Sequence, residues 1–180
     1  MVRTLLNLEL ATSEEIIAVA CRLRPFQATL VPERREEVTT EGGLDLARNR
    51  PRLRDTISRL RDAGCRVSLF IDPTLESVER SRELGVPAIE MHTGRYAHAW
   101  PGSAVALAEL GAAAARARAL GLGVHAGHGL TYRNVSAVAA IPEIEELNIG
   151  HSIVSRSIMV GMGEAVAEMR RFVDGGRGSI

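Results

Sequence analysis

Lysine is absent from all 180 residues. A phosphosugar aldolase working through an amine–carbonyl Schiff base has no nucleophile here. Cysteine is nearly as scarce, and the two present, Cys21 and Cys65, are too few for a disulfide framework. Each sits among apolar neighbours, as reduced core thiols do. Net charge is missing too, since 22 basic and 22 acidic residues cancel. No overall field draws the chain to nucleic acid or to an anionic membrane, so a phosphate ligand needs a local site. The expected partners are small molecules or further copies of the chain. The apolar stretch near the N-terminus is interrupted by Asn7 and Glu9, which matches neither a signal peptide nor a membrane span. The cytoplasm is the expected compartment.

What is present reads as α/β. At 46% hydrophobic and 24% charged, the composition is that of one globular domain with a sizeable core. Short apolar runs at Thr4–Leu10, Ala28–Pro32, Arg66–Ile71, Ala88–His92, Gly123–Ala126 and Glu146–Ile149 are the candidate strands. Their near-continuous hydrophobicity fits parallel strands covered on both faces. Helical patterns separate them. Thr12 with Glu15 forms a capping-box pattern, and Pro51 and Pro73 suit first helical turns. Gly64, Gly85 and Gly121 stand where helix C-caps hand over to the next strand. This strict alternation, with no linker, predicts a single domain over residues 1–180 built of βα units.

Six units fit either an open doubly wound sheet or part of an eight-unit barrel. No glycine-rich dinucleotide fingerprint follows the first strand, and the suggestive polar residues cluster at the C-terminal ends of several strands. Both features favour an incomplete (β/α)8 barrel of the TIM type.

Those strand ends carry the candidate chemistry. Glu9 is a candidate general acid/base, because partial burial near a barrel mouth would raise its pKa into the working range; the alternative is a carboxylate capping nearby amides. Glu90 and His92 share one face of their strand by the period of two and need either partners or a function. The segment Thr93-Gly94-Arg95-Tyr96 reads as an active-site loop. His128, between Gly127 and Gly129, is a candidate proton donor, while His125 is a core candidate. Gly129, Gly150 and His151 suggest a phosphate held after the last two strands at a helix start. Zinc on His92, His125, His128 and His151 is disfavoured for want of local ligand spacing.

Taken together, Asn7-Leu8-Glu9, the stretch from Leu30 through Val38-Thr39-Thr40-Glu41-Gly42-Gly43-Leu44-Asp45, Val67 to Asp72, Ile89 to Gly94, Ala126 to Tyr132 and Glu146 to His151 resemble the pyridoxine 5′-phosphate synthase family, in the family's order and spacing. The resemblance implies a TIM-type barrel that condenses 3-amino-2-oxopropyl phosphate with 1-deoxy-D-xylulose 5-phosphate to pyridoxine 5′-phosphate, phosphate and water. It implies no metal and no organic cofactor, and it suggests a homo-oligomer. Glu9 then matches the proton acceptor, His128 the proton donor and Glu90 a carboxylate that stabilises a transition state. Thr39 matches a contact to the deoxyxylulose phosphate, and Gly129, Gly150 and His151 the site of the aminoketone phosphate.

Nothing in the sequence matches the family's first two strands, so the chain reads as the third to eighth βα units. A degenerate, non-catalytic phosphate-binding or assembly protein is the competing reading. Open strand edges and an uncovered apolar barrel interior lead one to expect that the 180 residues alone are inactive and self-associate.

Overall fold

Strand pleating gives each strand two faces, and in this chain the two carry different chemistry. The computed structural model describes residues 3–32, 39, 42–48 and 50–178. It contains six strands: β1 (Asn7–Leu10), β2 (Gln27–Leu30), β3 (Arg66–Ile71), β4 (Ala88–His92), β5 (Gly123–Gly127) and β6 (Glu146–Asn148). They form one parallel sheet in sequential order, each strand paired to the next. The intervening helices are α1 (Glu14–Leu23), α2 (Arg50–Asp62), α3 (Leu75–Glu83), the consecutive α4 (Gly94–Ala99) and α5 (Ala104–Ala119), and α6 (Val135–Ala139). After β6 come α7 (His151–Val160) and α8 (Met162–Gly176).

The sheet is curled. Gln27 on β2 brings Nε2 to 3.3 Å from Nδ1 of His125 on β5, although in a flat sheet three strand spacings would part them by about 14 Å. Sequential parallel order, curvature and a helix after every strand make this six units of a (β/α)8-type barrel. β1 and β6 are its outer strands.

On the convex face, Leu10, Leu30, Leu69, Ile89, Met91, Val124 and Ala126 are buried under the helices, each contributing on the order of 1–3 kcal/mol through burial. The concave face is different. It carries Asn7, Gln27, Thr29, Arg66, Ser68, Glu90, His92, His125, Glu146 and Asn148, set there by the strand period and the pairing register. Many of these bind one another: Thr29 Oγ1 donates to Asn7 Oδ1 at 2.8 Å, and Arg66 donates to Gln27 Oε1 at 3.1 Å. The expected apolar barrel interior is therefore corrected. The core lies between sheet and helices, and the concave side is mostly polar around Phe70, with several side chains bonded to one another while Ser68 Oγ and His92 Nδ1 have no partner among the described residues.

Some local signals moved. Thr12 is buried and its carbonyl accepts from Arg52, so the residue flanking α1 is Ser13, which makes no side-chain cap. Pro73 precedes α3 rather than entering it; Thr74 caps that helix by accepting from the Ser77 amide at 3.1 Å. The glycine exits stand as expected, with positive φ of 91° at Gly64, 74° at Gly85 and 77° at Gly121.

Candidate active site

A cleft of about 910 Å3 opens at the C-terminal ends of the strands, the face on which barrels of this type build their sites. Glu9, Glu90, His128, Gly129, Gly150 and His151 all line it, joined by His92 and Asn148. With Val31 after β2 and Phe70 of β3 also in the lining, segments at the ends of six strands far apart in sequence converge. Thr39 does not line the cleft itself; it belongs to the β2–α2 connection, whose Gly42 does. The Thr39 hydroxyl accepts from the Gly42 amide at 3.2 Å, and the Gly43 amide donates to Asp72 Oδ1 at 2.9 Å, fastening this connection to the end of β3.

Glu9 departs from expectation. Its side chain is exposed, on the outer strand β1, so the partial burial anticipated for it is not found. Burial acts on Glu90 instead. At 3% exposure, Glu90 has its carboxyl pushed up to about 7, chiefly by desolvation; the hydrogen bond from Asn148 opposes this, while Glu9 and Glu146 add to it. Asn148 Nδ2 donates to Glu90 Oε2 at 2.7 Å. The carboxylate lies over Gly127, where an added Cβ would stand only 2.3 Å from Oε1. Glycine at 127 thus leaves the space that the carboxylate fills.

His92 is buried between Gly42 and Gly94, at each of which a Cβ would collide with its ring. Its ring meets Phe70 edge-on at 5.2 Å and lies 4.6 Å from that of His128. Burial first, and then the nearby His128, lower its pKa to about 4, so the ring is neutral at neutral pH; Nδ1 has no partner among the described residues.

His128 holds a left-handed backbone, φ 79°, between Gly127 and Gly129. A β-carbon is disfavoured there, and such strain persists only where the surroundings fix it. Thr93 does so. Its amide donates to Gly127 O at 2.8 Å, and its hydroxyl lies 2.8 Å from Gly127 O and 2.5 Å from His128 O. Beyond the turn, Asn134 Nδ2 donates to Gly129 O at 3.3 Å and Ser152 Oγ donates to Leu130 O at 2.8 Å. The supposed loop Thr93 to Tyr96 is consequently no loop: Gly94 to Tyr96 begin α4, with Thr93 buried as the pin and Tyr96 buried below it, donating to Asn134 O at 2.6 Å.

His125 sits lower in the curl, 1% exposed, against Gln27 and 3.9 Å from Glu146, as a core histidine. His151 is exposed and begins α7, with Gly150 before it. Among the described residues no group of three or more histidine, cysteine, aspartate or glutamate side chains is placed to hold a metal ion. Asn148, Asn134 and Ser152 were not singled out by sequence reasoning, and Thr93 was read only as part of a loop. The neighbours of Asn148 in Leu147-Asn148-Ile149-Gly150-His151 were, and its place two residues after Glu146 put it on the concave face.

Titratable side chains gathered in one cleft at the strand ends, with glycines clearing space around them, define a barrel enzyme acting on small molecules. The chain belongs to the family described as "Pyridoxal phosphate biosynthesis protein PdxJ", which it matches over residues 1–175. It is 54% identical over 177 residues to the pyridoxine 5′-phosphate synthase of Prochlorococcus marinus strain MIT 9303, covering 98% of this chain and 72% of that one. With the enzyme of the same name from Magnetococcus marinus it shares 51% over 173 residues, covering 95% and 71%. This is an enzyme family of vitamin B6 biosynthesis, and the similarity does not favour the non-catalytic reading. In fold the chain is like the crystal structure of an Amycolatopsis orientalis BexX/CysO complex, with TM-score 0.60 at 18% identity over 94% of this chain and 66% of that one. Among the described residues no helix is long and apolar enough to cross a membrane.

Proposed function

We propose that this chain condenses 3-amino-2-oxopropyl phosphate with 1-deoxy-D-xylulose 5-phosphate to give pyridoxine 5′-phosphate, inorganic phosphate and water. The observation that carries the reading is the convergence of Glu9, Glu90 and His128 with Gly129, Gly150 and His151 on one cleft. Ring closure by condensation needs protons taken from carbon and nitrogen and protons given to departing oxygen. An exposed carboxylate and an imidazole lining one cleft can do both.

Glu9 is the proton acceptor in this reading, since it faces the cleft and is open to exchange with water. His128 is the proton donor, projected into the cleft by the pinned turn. Glu90, nearly dry and titrating at about 7, stabilises cationic charge that develops beside it. The amides at the start of α7, with Gly129, Gly150 and His151, hold the phosphate of the aminoketone, and Thr39, on the connection whose Gly42 lines the cleft, contacts the deoxyxylulose phosphate. The six units are the third to eighth of a barrel that forms one domain, working in the cytoplasm as a homo-oligomer.

The test is incubation of the purified protein, supplied with the two preceding barrel units whose lack leads one to expect inactivity of the 180 residues alone, with both phosphates, following inorganic phosphate release and pyridine absorbance together. Stoichiometric appearance of both, lost in Glu9→Gln and His128→Asn, is the expected result. Phosphate release without pyridine formation would assign the cleft to a different reaction.

A further inference from the structure

Glu90 is held from one side only. Asn148 takes Oε2 at 2.7 Å, Gly127 leaves room beneath Oε1, no described residue donates to Oε1, and Glu90 lines the cleft. Asn148 itself stands on β6 at the register position facing Gly127, two residues before Gly150. One side chain thus links the carboxylate of β4 to the strand that carries the proposed phosphate site.

We propose that Asn148 is a positioning residue for the reaction: by holding Oε2 it turns Oε1 toward the reacting atoms and keeps Glu90 in register with the phosphate-binding turn after β6. Glutamate on a strand has three rotatable bonds and, without a tether, samples several rotamers. A carboxylate that must meet a developing charge is effective only when its direction is fixed beforehand. Asparagine suits the task, because its amide donates to the charged form and brings no charge of its own. This inference rests on reading the cleft as the condensation site.

The groups facing Glu90 fix the sign of the expected effect. They are Glu9 from β1, His92 from its own strand, His125 from β5 with His128 just beyond it, and Glu146 from β6; the β3 position in register is the uncharged Phe70. Of these influences, the Asn148 hydrogen bond is the one that favours ionisation, against desolvation and two carboxylates. Its removal leaves the opposing effects in place, so Glu90 must titrate at higher pH.

The experiment compares wild type with Asn148→Ala and Asn148→Asp in the full chain. Two quantities are read: the pH dependence of kcat and KM, and the titration of the Glu90 carboxyl by 13C NMR, its resonance assigned through its loss in Glu90→Gln. In Asn148→Ala the Glu90 titration and the matching limb of the kcat profile should both move alkaline by roughly one pH unit. Turnover should fall by about tenfold, with KM for the two phosphates within about twofold. In Asn148→Asp both shifts should be larger. Thermal melting separates these effects from unfolding, since a variant that only loosens the fold leaves the titration where it was. An unmoved Glu90 titration in a folded Asn148→Ala protein would overturn the proposal. An alkaline shift in a wild-type background that makes no pyridine would instead retain the tether and remove the assigned reaction.

Discussion

At the residue scale, the site separates two carboxylates by environment. Glu9 is exposed and Glu90 is buried, so they cannot be exchanged between roles even though both line one cleft. In a chain completed with the two preceding units, Glu9→Gln is expected to lower turnover by about 10² to 10⁴, the usual worth of a positioned acid/base, and to leave phosphate substrate binding nearly unchanged. Wild-type turnover in that variant would take Glu9 out of the mechanism. His151→Ala, at the start of α7, should weaken the aminoketone phosphate more than the deoxyxylulose phosphate; calorimetric titration with each ligand distinguishes this from equal weakening.

Glu90 and His92, two residues apart, also set opposite pH dependences of stability. A carboxyl at about 7 in the folded state, against an ordinary 4.5, binds more protons folded than unfolded between those values. Stability from Glu90 therefore falls as pH rises through that window, by about 3 kcal/mol in full. An imidazole at about 4, against 6.5, binds more protons unfolded. Stability from His92 therefore rises with pH between 4 and 6.5, by a similar amount. Across the shared window the two slopes nearly cancel. Glu90→Gln should uncover the His92 slope, raising the melting temperature clearly at pH 8 and little at pH 5. An equal gain at both values would mean that Glu90 is not held protonated by its surroundings.

At the scale of elements, β3 and β4 were legible to the residue, because a helix-ending glycine, Gly64 or Gly85, precedes each apolar run and a helix follows it. β1 came out three residues shorter at its start: its register with β2 begins at Asn7, only the Leu6 carbonyl reaching back to accept from the Gln27 amide, and Leu5 points outward at 68% exposure. The C-terminal glycines were readable since a left-handed exit demands them. The pin at Thr93 was not, because its partners, Gly127 and His128, lie 34 and 35 residues away. Asn148 was hidden for the same reason, being 58 residues from the carboxylate it holds. The polar concave face was misjudged by treating short strands as uniformly apolar, when Ala88-Ile89-Glu90-Met91-His92 already alternates. Gly127→Ala offers a direct check of how tightly this layer is built. A methyl there meets Glu90 Oε1 and, at 3.0 Å, the Asn148 carbonyl, so it should destabilise by about 1–3 kcal/mol and disturb the carboxylate. An alanine variant as stable and active as wild type in urea unfolding and product assays would show that the strands can part at no cost.

At the scale of the molecule, among the described residues β1 and β6 each have a neighbour on one side only. The Leu6 and Leu10 carbonyls accept from the Gln27 and Val31 amides, so by the period of two the peptide groups of Asn7 and Glu9 face the open side. Hydrogen exchange at the Asn7 and Glu9 amides should be fast, and at Leu10 slow; protection at all three would reveal a further strand or a second chain docked on that edge. Because the concave face is mostly polar, with several side chains bonded to one another, any association of the 180-residue protein should run through such backbone edges and not through an exposed apolar barrel lining.

The division of each strand into a wet side and a dry side reaches further than packing. Neighbouring codons in β4 answer to unrelated demands: position 90 to the cleft, position 89 to the helices behind it. Exchange of one residue therefore leaves its neighbour's duty untouched, and reactivity can drift while the scaffold stays fixed. Loss or gain of a single residue inside the strand is another matter. It would turn isoleucine and methionine toward the substrates and drive glutamate and histidine under the helices, so within these few positions a change in length is far more damaging than a change in identity.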